Sequence, residues 1–262
     1  MMKYPPGGLS GEDRKGIAIF LASLAVLATL VAIAVSTLNA PENNYDRATL
    51  CNENLPRHAH KVFVIDVSDA LSGYQKRFLR RYIATELQQA GTNDRFSLYV
   101  LDEKFRGLSD PVVDVCKPKT GEDVSLLTSN RAFVDRLYAD RFEKPLERAL
   151  ASVVMGGEQE ISPIYEALSD LVALRRLDGE AQEVHLTIVS DMIQNSTAGS
   201  VFNSGPSAIT GLPPINLRRA RTSVLWLDRE KYRQYQTSEL ERSWEEYLAS
   251  VSDFSDIERV RP

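Results

Sequence analysis

Between Gly16 and Leu38 the chain reads GIAIFLASLAVLATLVAIAVSTL, apolar all round and without a charged residue. A run of about 23 such residues exceeds the roughly 18 that mark a spanning helix, and at about 1.5 Å per residue it covers a hydrocarbon core of about 30 Å. Asn39 to His60 is polar, with Pro41 and Pro56, and reads as a tether. From Lys61 onward, short apolar runs alternate with helical spacings. Val62 to Val67 is continuous except at Asp66, as expected of a parallel strand buried on both faces. Phe78, Tyr82, Ile83 and Leu87 recur at three- and four-residue steps, which predicts a helix over Tyr74–Ala90 ended by Gly91. Phe96–Leu101 is a second strand, and Pro111–Cys116, opened by a proline, is an edge strand.

Further along, Ser129–Met155 predicts two helices around Pro145. Ser162, Pro163 and Glu166 mark another helix start, and on spacing alone Ser162 is its N-cap. Glu183–Ser190 is an inner strand that stops at Asp191, with His185 as a core residue within it. A Ser/Gly/Pro loop over Ser196–Pro214 leads to a strand at Thr222–Leu227. An amphipathic helix over Ser238–Ser250 faces Leu240, Trp244, Tyr247 and Leu248 inward, and Ile257–Val260 is a short last strand. Strands alternating with helices imply an α/β, Rossmann-like fold with a central, mostly parallel sheet flanked by helices and preceded by one transmembrane helix. The expected organisation is residues 1–15 as a cytoplasmic N-terminus, 16–38 as the transmembrane helix, 39–60 as a juxtamembrane linker, and 61–262 as the α/β domain with its C-terminal helix.

Charge refines that organisation. Lys3, Arg14 and Lys15 precede the apolar run, while only Arg47 follows closely, beside Glu42 and Asp46. The positive-inside rule then leaves the short N-terminus in the cytoplasm and carries the large domain across the membrane. The run is too long for a signal-peptide apolar region, and Leu38-Asn39-Ala40 places a bulky residue where a cleavage site needs a small one, so it reads as an uncleaved anchor. A net charge of −5 without clustered Lys/Arg excludes a nucleic-acid footprint. Two cysteines, Cys51 and Cys116, are too few for a disulfide scaffold. Outside the cytoplasm they could pair, and separation in sequence leaves that open. His58 and His60 alternate just before the first strand and read as solvated rather than metal-binding.

The candidate chemistry lies at strand ends. Asp66 and Asp191 each stand just past the carboxyl end of an apolar strand, where α/β sheets place their sites. With Ser68 and Ser162 they offer carboxylate and hydroxyl oxygens and no nitrogen or thiolate. Such a set suits a hard cation, Mg²⁺ or another divalent ion.

In order along the chain, Asp66-Val67-Ser68-Asp69-Ala70, Ser162-Pro163-Ile164-Tyr165-Glu166-Ala167-Leu168 and Ser190-Asp191 resemble the metal-ion-dependent adhesion site of von Willebrand factor A domains. Asp94-Arg95-Phe96-Ser97-Leu98 is similar to that family's second strand, and the resemblance runs from about Lys61 to Leu227. It implies metal ligation by Asp66, Ser68, Ser162 and Asp191, with no catalysis. It also implies a protein partner whose carboxylate completes the metal's coordination, and a role in a membrane-associated protein assembly. Ala70 stands where the family pattern has a second serine, so one oxygen ligand is missing. Asp69 or Ser72 could substitute without the family spacing.

Two other readings use the same rim. A metal-dependent hydrolase or phosphatase would need a second aspartate two residues after Asp66, where Ser68 stands, and neither a G-x-S-x-G elbow nor a glycine-rich phosphate loop occurs. A scaffold with a vestigial site could dock through Arg218, Arg219 and Arg221, which otherwise form a solvated loop.

Overall fold

The computed structural model describes residues 11–38, 45–101, 107–124, 130–153 and 161–262. It divides into two units, Met1–Tyr45 and Asp46–Pro262. The first contains one helix, α1 (Gly11–Leu38, 28 residues), with Glu12 and Asp13 in its first turn. Its Ile, Leu, Val and Phe side chains are exposed on all sides. Thr29 Oγ1 and Ser36 Oγ donate to the helix's own carbonyls of Ala25 and Ile33, each at 2.8 Å. The hydroxyls are therefore satisfied within the helix, as a lipid environment demands. Among the described residues this is the one helix long and apolar enough to cross a membrane.

The second unit is an α/β domain built on a six-stranded sheet. Its strands are β1 (Ala59–Asp66), β2 (Arg95–Leu101), β3 (Val113–Cys116), β4 (Glu183–Ser190), β5 (Leu217–Leu227) and β6 (Ser252–Val260), in the spatial order β3-β2-β1-β4-β5-β6. All neighbours are parallel except β2 and β3. The edge strand predicted from Pro111 is thus the antiparallel β3. The chain leaves β1 toward β2 and β3 on one side, then returns across to β4 on the other. β1 and β4 flank the point where strand order reverses.

Alternation along β1 explains the two cores. Val62 and Val64 face one side, with Leu186, Ile188 and Val224, under α5 (Ile164–Ala173) and α8 (Ser238–Val251). Phe63 and Ile65 face the other, with Leu98 and Leu225, under α2 (Gly73–Gln89) and α4 (Lys144–Val153). Ser72 starts α2 with a reciprocal capping box to Gln75, worth about 1 kcal/mol. α3 (Arg131–Tyr138) runs through a π turn at Ala139–Glu143 directly into α4. The two helices expected around Pro145 are thus present, joined by the π turn, and Pro145 stands in the first turn of α4, where a proline's missing amide is tolerated. The loop expected over Ser196–Pro214 contains two one-turn helices, α6 (Val201–Ser204) and α7 (Ser207–Thr210), and β6 begins five residues before Ile257.

The tether expected over 39–60 is not uniform. Residues 39–44 lie outside the described residues, but the compact domain begins at Asp46 rather than Lys61. Cys51 is disulfide-bonded to Cys116 at the end of β3, and the Cys116 amide donates to Thr49 O at 2.7 Å. Asn93, in the left-handed region at φ 71°, donates through its side chain to the carbonyls of Asn52 and Leu55. Polarity suggested a free linker; buried amides and one covalent bond make it part of the fold. His60 departs from expectation for the same reason. It is fully buried, and its Nδ1 accepts from the Asp178 amide at 3.0 Å, so its Nε2 carries the proton toward Ser97 Oγ at 2.8 Å. Conversely His185 is half-exposed rather than in the core, paired with Glu183 at 2.9 Å.

Candidate functional site

The carboxyl ends of β1, β4 and β5 form a rim. Asp66 closes β1, and its Oδ1 accepts from the Ser68 amide at 2.9 Å, which folds the following loop back over the strand end. Asp191, one residue past β4, repeats the device, its Oδ1 accepting from the Ile193 amide at 2.9 Å. Both are Asx turns, the local geometry that aspartate provides at the start of a loop. Asp66 Oδ2 then accepts two hydroxyls, from Ser162 at 2.7 Å and from Ser190 at 2.9 Å. Asp66, Ser68, Ser162, Ser190 and Asp191 are all buried.

Ser162 reaches Asp66 because its backbone is paired with another loop. Its amide donates to Asn195 O at 3.0 Å and receives the Asn195 amide on its carbonyl at 2.9 Å. It is not an N-cap. Pro163 holds that position in α5 without a capping side chain, and the Ser162 hydroxyl is committed to Asp66 instead. A carboxylate that has already surrendered its hydration binds a hydroxyl more strongly than a solvated helix end does. The residue after Asp191 is also unusual. Met192 sits at φ 60° with its amide donating to Ser190 Oγ and its carbonyl accepting from Trp244 Nε1 at 2.8 Å. Such a conformation in a non-glycine residue is retained only where the surroundings impose it.

Of the four predicted site residues, the structure brings Asp66 and Ser162 into direct contact and joins Ser68 to Asp66 through its amide. Asp191 is linked through its neighbour Ser190. Sequence reasoning missed Ser190 as a participant and Arg229 altogether. Arg229 lies two residues past the end of β5, and its Nε is 4.0 Å from Asp191 Oδ2. The rule that led to Asp66 and Asp191, strand ends in a parallel sheet, applies to it equally. A cationic side chain does not belong to an all-oxygen donor set.

The electrostatics of the rim are unbalanced. Burial, and next to it the charge of Asp66, push the Asp191 carboxyl up to about 8, and Arg229 only partly opposes this. Two buried carboxyls thus share one guanidinium that stands beyond hydrogen-bond distance, and the rim does not hold both as carboxylates without a further cation. Among the described residues no group of three or more His, Cys, Asp or Glu side chains could hold a metal, so an ion here would depend on the serine hydroxyls. The donors are two carboxylates and hydroxyls of Ser68, Ser162 and Ser190. They fit a hard divalent ion in type and charge, with the loss at Ala70 as the departure. Beside the rim a groove of about 300 Å³ runs along Asp69, Ala70, Ser72, Gln75, Arg229 and Lys231.

No protein-family model matches the chain, and no curated protein does. Among solved structures it is similar to an aerotolerance-related membrane protein from Bacteroides fragilis carrying multiple mutations to serines. The identity is 13% and the TM-score 0.37, over 77% of this chain and 91% of that one. The α/β assignment rests on the strand order and register themselves, which are consistent with a von Willebrand factor A-like layout.

Proposed function

We propose that the chain is a membrane-anchored, von Willebrand A-like protein-binding module that engages a protein partner at the rim formed by Asp66, Ser68, Ser162 and Asp191. The observation that carries this reading is the convergence of two buried carboxyls and serine hydroxyls at the reversal point of strand order, with a single guanidinium beside them. These four residues would hold a Mg²⁺ or other divalent ion. When bound, the ion supplies a positive centre that a partner's carboxylate can approach. The chain's own residues do the rest. Asp66 orients Ser162 and Ser190, the two Asx turns fix the loops, and the groove beside Ala70 admits the partner's side chain.

Binding rather than catalysis is favoured by the company the serines keep. Ser162 and Ser190 donate to a carboxylate, and His185, the histidine that a hydrolytic triad would recruit, pairs with Glu183 on β4. The excess of Lys and Arg before the apolar run of α1, with the Cys51–Cys116 disulfide, supports placing the domain on the non-cytoplasmic side, as part of a membrane-associated assembly.

The test is thermal unfolding of the full chain in detergent with Mg²⁺ or with chelator. A ligand that binds only the folded state must raise the midpoint. The expected result is a rise with Mg²⁺ that Asp66→Ala removes. A midpoint indifferent to Mg²⁺ in both proteins would sink the cation-dependent reading.

A further inference from the structure

Arg229 enters the rim from the end of β5, and its guanidinium is committed to the loop that carries Asp66 and Ser68. Nη1 donates to Ala70 O at 2.6 Å and to Gln75 Oε1 at 3.4 Å, and Nη2 donates to Asp69 O at 3.1 Å. The side chain is only 9% exposed, and Nε, 4.0 Å from Asp191 Oδ2, is buried without a hydrogen-bond partner. Its backbone is fixed as well. The Arg229 amide donates to Gln236 Oε1 at 2.7 Å, while Gln236 Nε2 donates to the carbonyls of Asp191 and Leu227. Three strand ends are thus stitched together around one cation.

We propose that Arg229 is a built-in competitor for the divalent ion, setting how tightly the rim takes it. This rests on the reading of the rim as a cation site. Two features of the geometry carry it. First, the guanidinium is permanently charged, so an ion held by Asp191 must settle beside a fixed positive charge. Second, Arg229 draws the carbonyls of Asp69 and Ala70 toward itself, and so holds the stretch from Ser68 to Ala70 in the position the arginine requires. Ala70 is the place where the adhesion-site pattern has a serine, and here its contribution is a carbonyl already taken by Arg229. The missing ligand and the resident cation belong to one arrangement. The loop is latched without an ion, and an ion has to displace part of that latch.

The experiment is a Mn²⁺ titration of the full chain in detergent, with free Mn²⁺ read by electron paramagnetic resonance and folding checked by near-ultraviolet circular dichroism. Arg229→Gln is expected to bind Mn²⁺ at least tenfold more tightly than the parent, although its unfolding midpoint in chelator falls by a few degrees. Arg229→Lys, which keeps the charge but loses the fork that latches Asp69 and Ala70, is expected to gain affinity by less than Arg229→Gln, about threefold over the parent. If Arg229→Gln does not fold, Arg229→Met keeps the packing of the stem and removes the charge, with the same tenfold gain expected. Measurable Mn²⁺ binding that is equal or weaker in the neutral variants overturns the competition while leaving the cation site intact. Absence of binding in the parent and in the neutral variants overturns both.

Discussion

The two ends of the sheet bury similar chemistry and treat it in opposite ways. At the end where β1 begins, His60, Ser97, Asp114, Arg95, Asp178 and Arg57 form a network in which each charge meets its opposite. Arg95 donates to both oxygens of Asp114, at 2.8 and 2.6 Å. Ser97 Oγ donates to Asp114 at 2.8 Å, and Asp178 lies 2.8 Å from Arg57 Nε and 3.4 Å from Arg95 Nη1. Burial alone would raise the Asp114 and Asp178 carboxyls, yet their arginines and hydrogen bonds hold both below the usual value. At the end where β1 finishes, Asp66 and Asp191 face one guanidinium, and Asp191 is pushed upward. A closed charge balance marks a structural network. An open one is where the proposed cation would complete the balance.

The largest expected effect falls on the closed end. Cys51 and Cys116 close a loop with a sequence separation of 65, which corresponds to about 4 kcal/mol in the chain-entropy account. Replacing both by alanine should lower unfolding stability by about that amount, read from Trp226 and Trp244 fluorescence in denaturant. Mn²⁺ affinity at the rim should not change; a parallel loss there would erase the distinction between the two ends.

The next effect is pH-dependent. Burial, followed by the charge of Arg95, lowers His60 from 6.5 to about 4, so the folded protein keeps the ring neutral where the unfolded chain protonates it. Its contribution is complete above pH 6.5 and is lost as pH falls toward about 4, amounting to about 3 kcal/mol. His60→Gln should be less stable at neutral pH but should lack this acid-side slope.

The open end has the opposite sign. Asp191 is raised in the fold, so its contribution is present at low pH and lost as pH rises. Asp191→Asn should therefore be more stable than the parent at pH 7 in chelator while losing its response to Mg²⁺. A destabilised Asp191→Asn would mean that Arg229 already balances the rim. Smallest in stability is Ala70→Ser. The position is exposed, so the change should stay within about 0.5 kcal/mol, yet it supplies the missing hydroxyl and should tighten Mn²⁺ binding.

Much of this contrast was legible in the chain. Apolar runs ending in Asp66 and Asp191 gave strand identity and site position together, because a parallel strand buried on both faces has few places for a carboxylate except its end. The role of His60 was not legible, and that of Ser162 was legible only through the resemblance, not from its local spacing. A serine before Pro-Ile reads locally as a helix cap, and only the pairing with Asn195, across the fold, turns it to Asp66. A histidine at a strand entry reads as solvated until Asp178 and Ser97 close around it. Arg229 was hidden for another reason. Its partners are mostly carbonyls, which every residue carries, so sequence contains no mark of them.

The most direct test of the central claim isolates the full chain from its native membrane with bound partners, comparing Asp191→Asn at the open end with Asp178→Asn at the closed end. The account predicts a partner that is retained by the parent in Mg²⁺, released by chelator, absent from Asp191→Asn, and still held by folded Asp178→Asn. A partner held equally by Asp191→Asn and in chelator would contradict it.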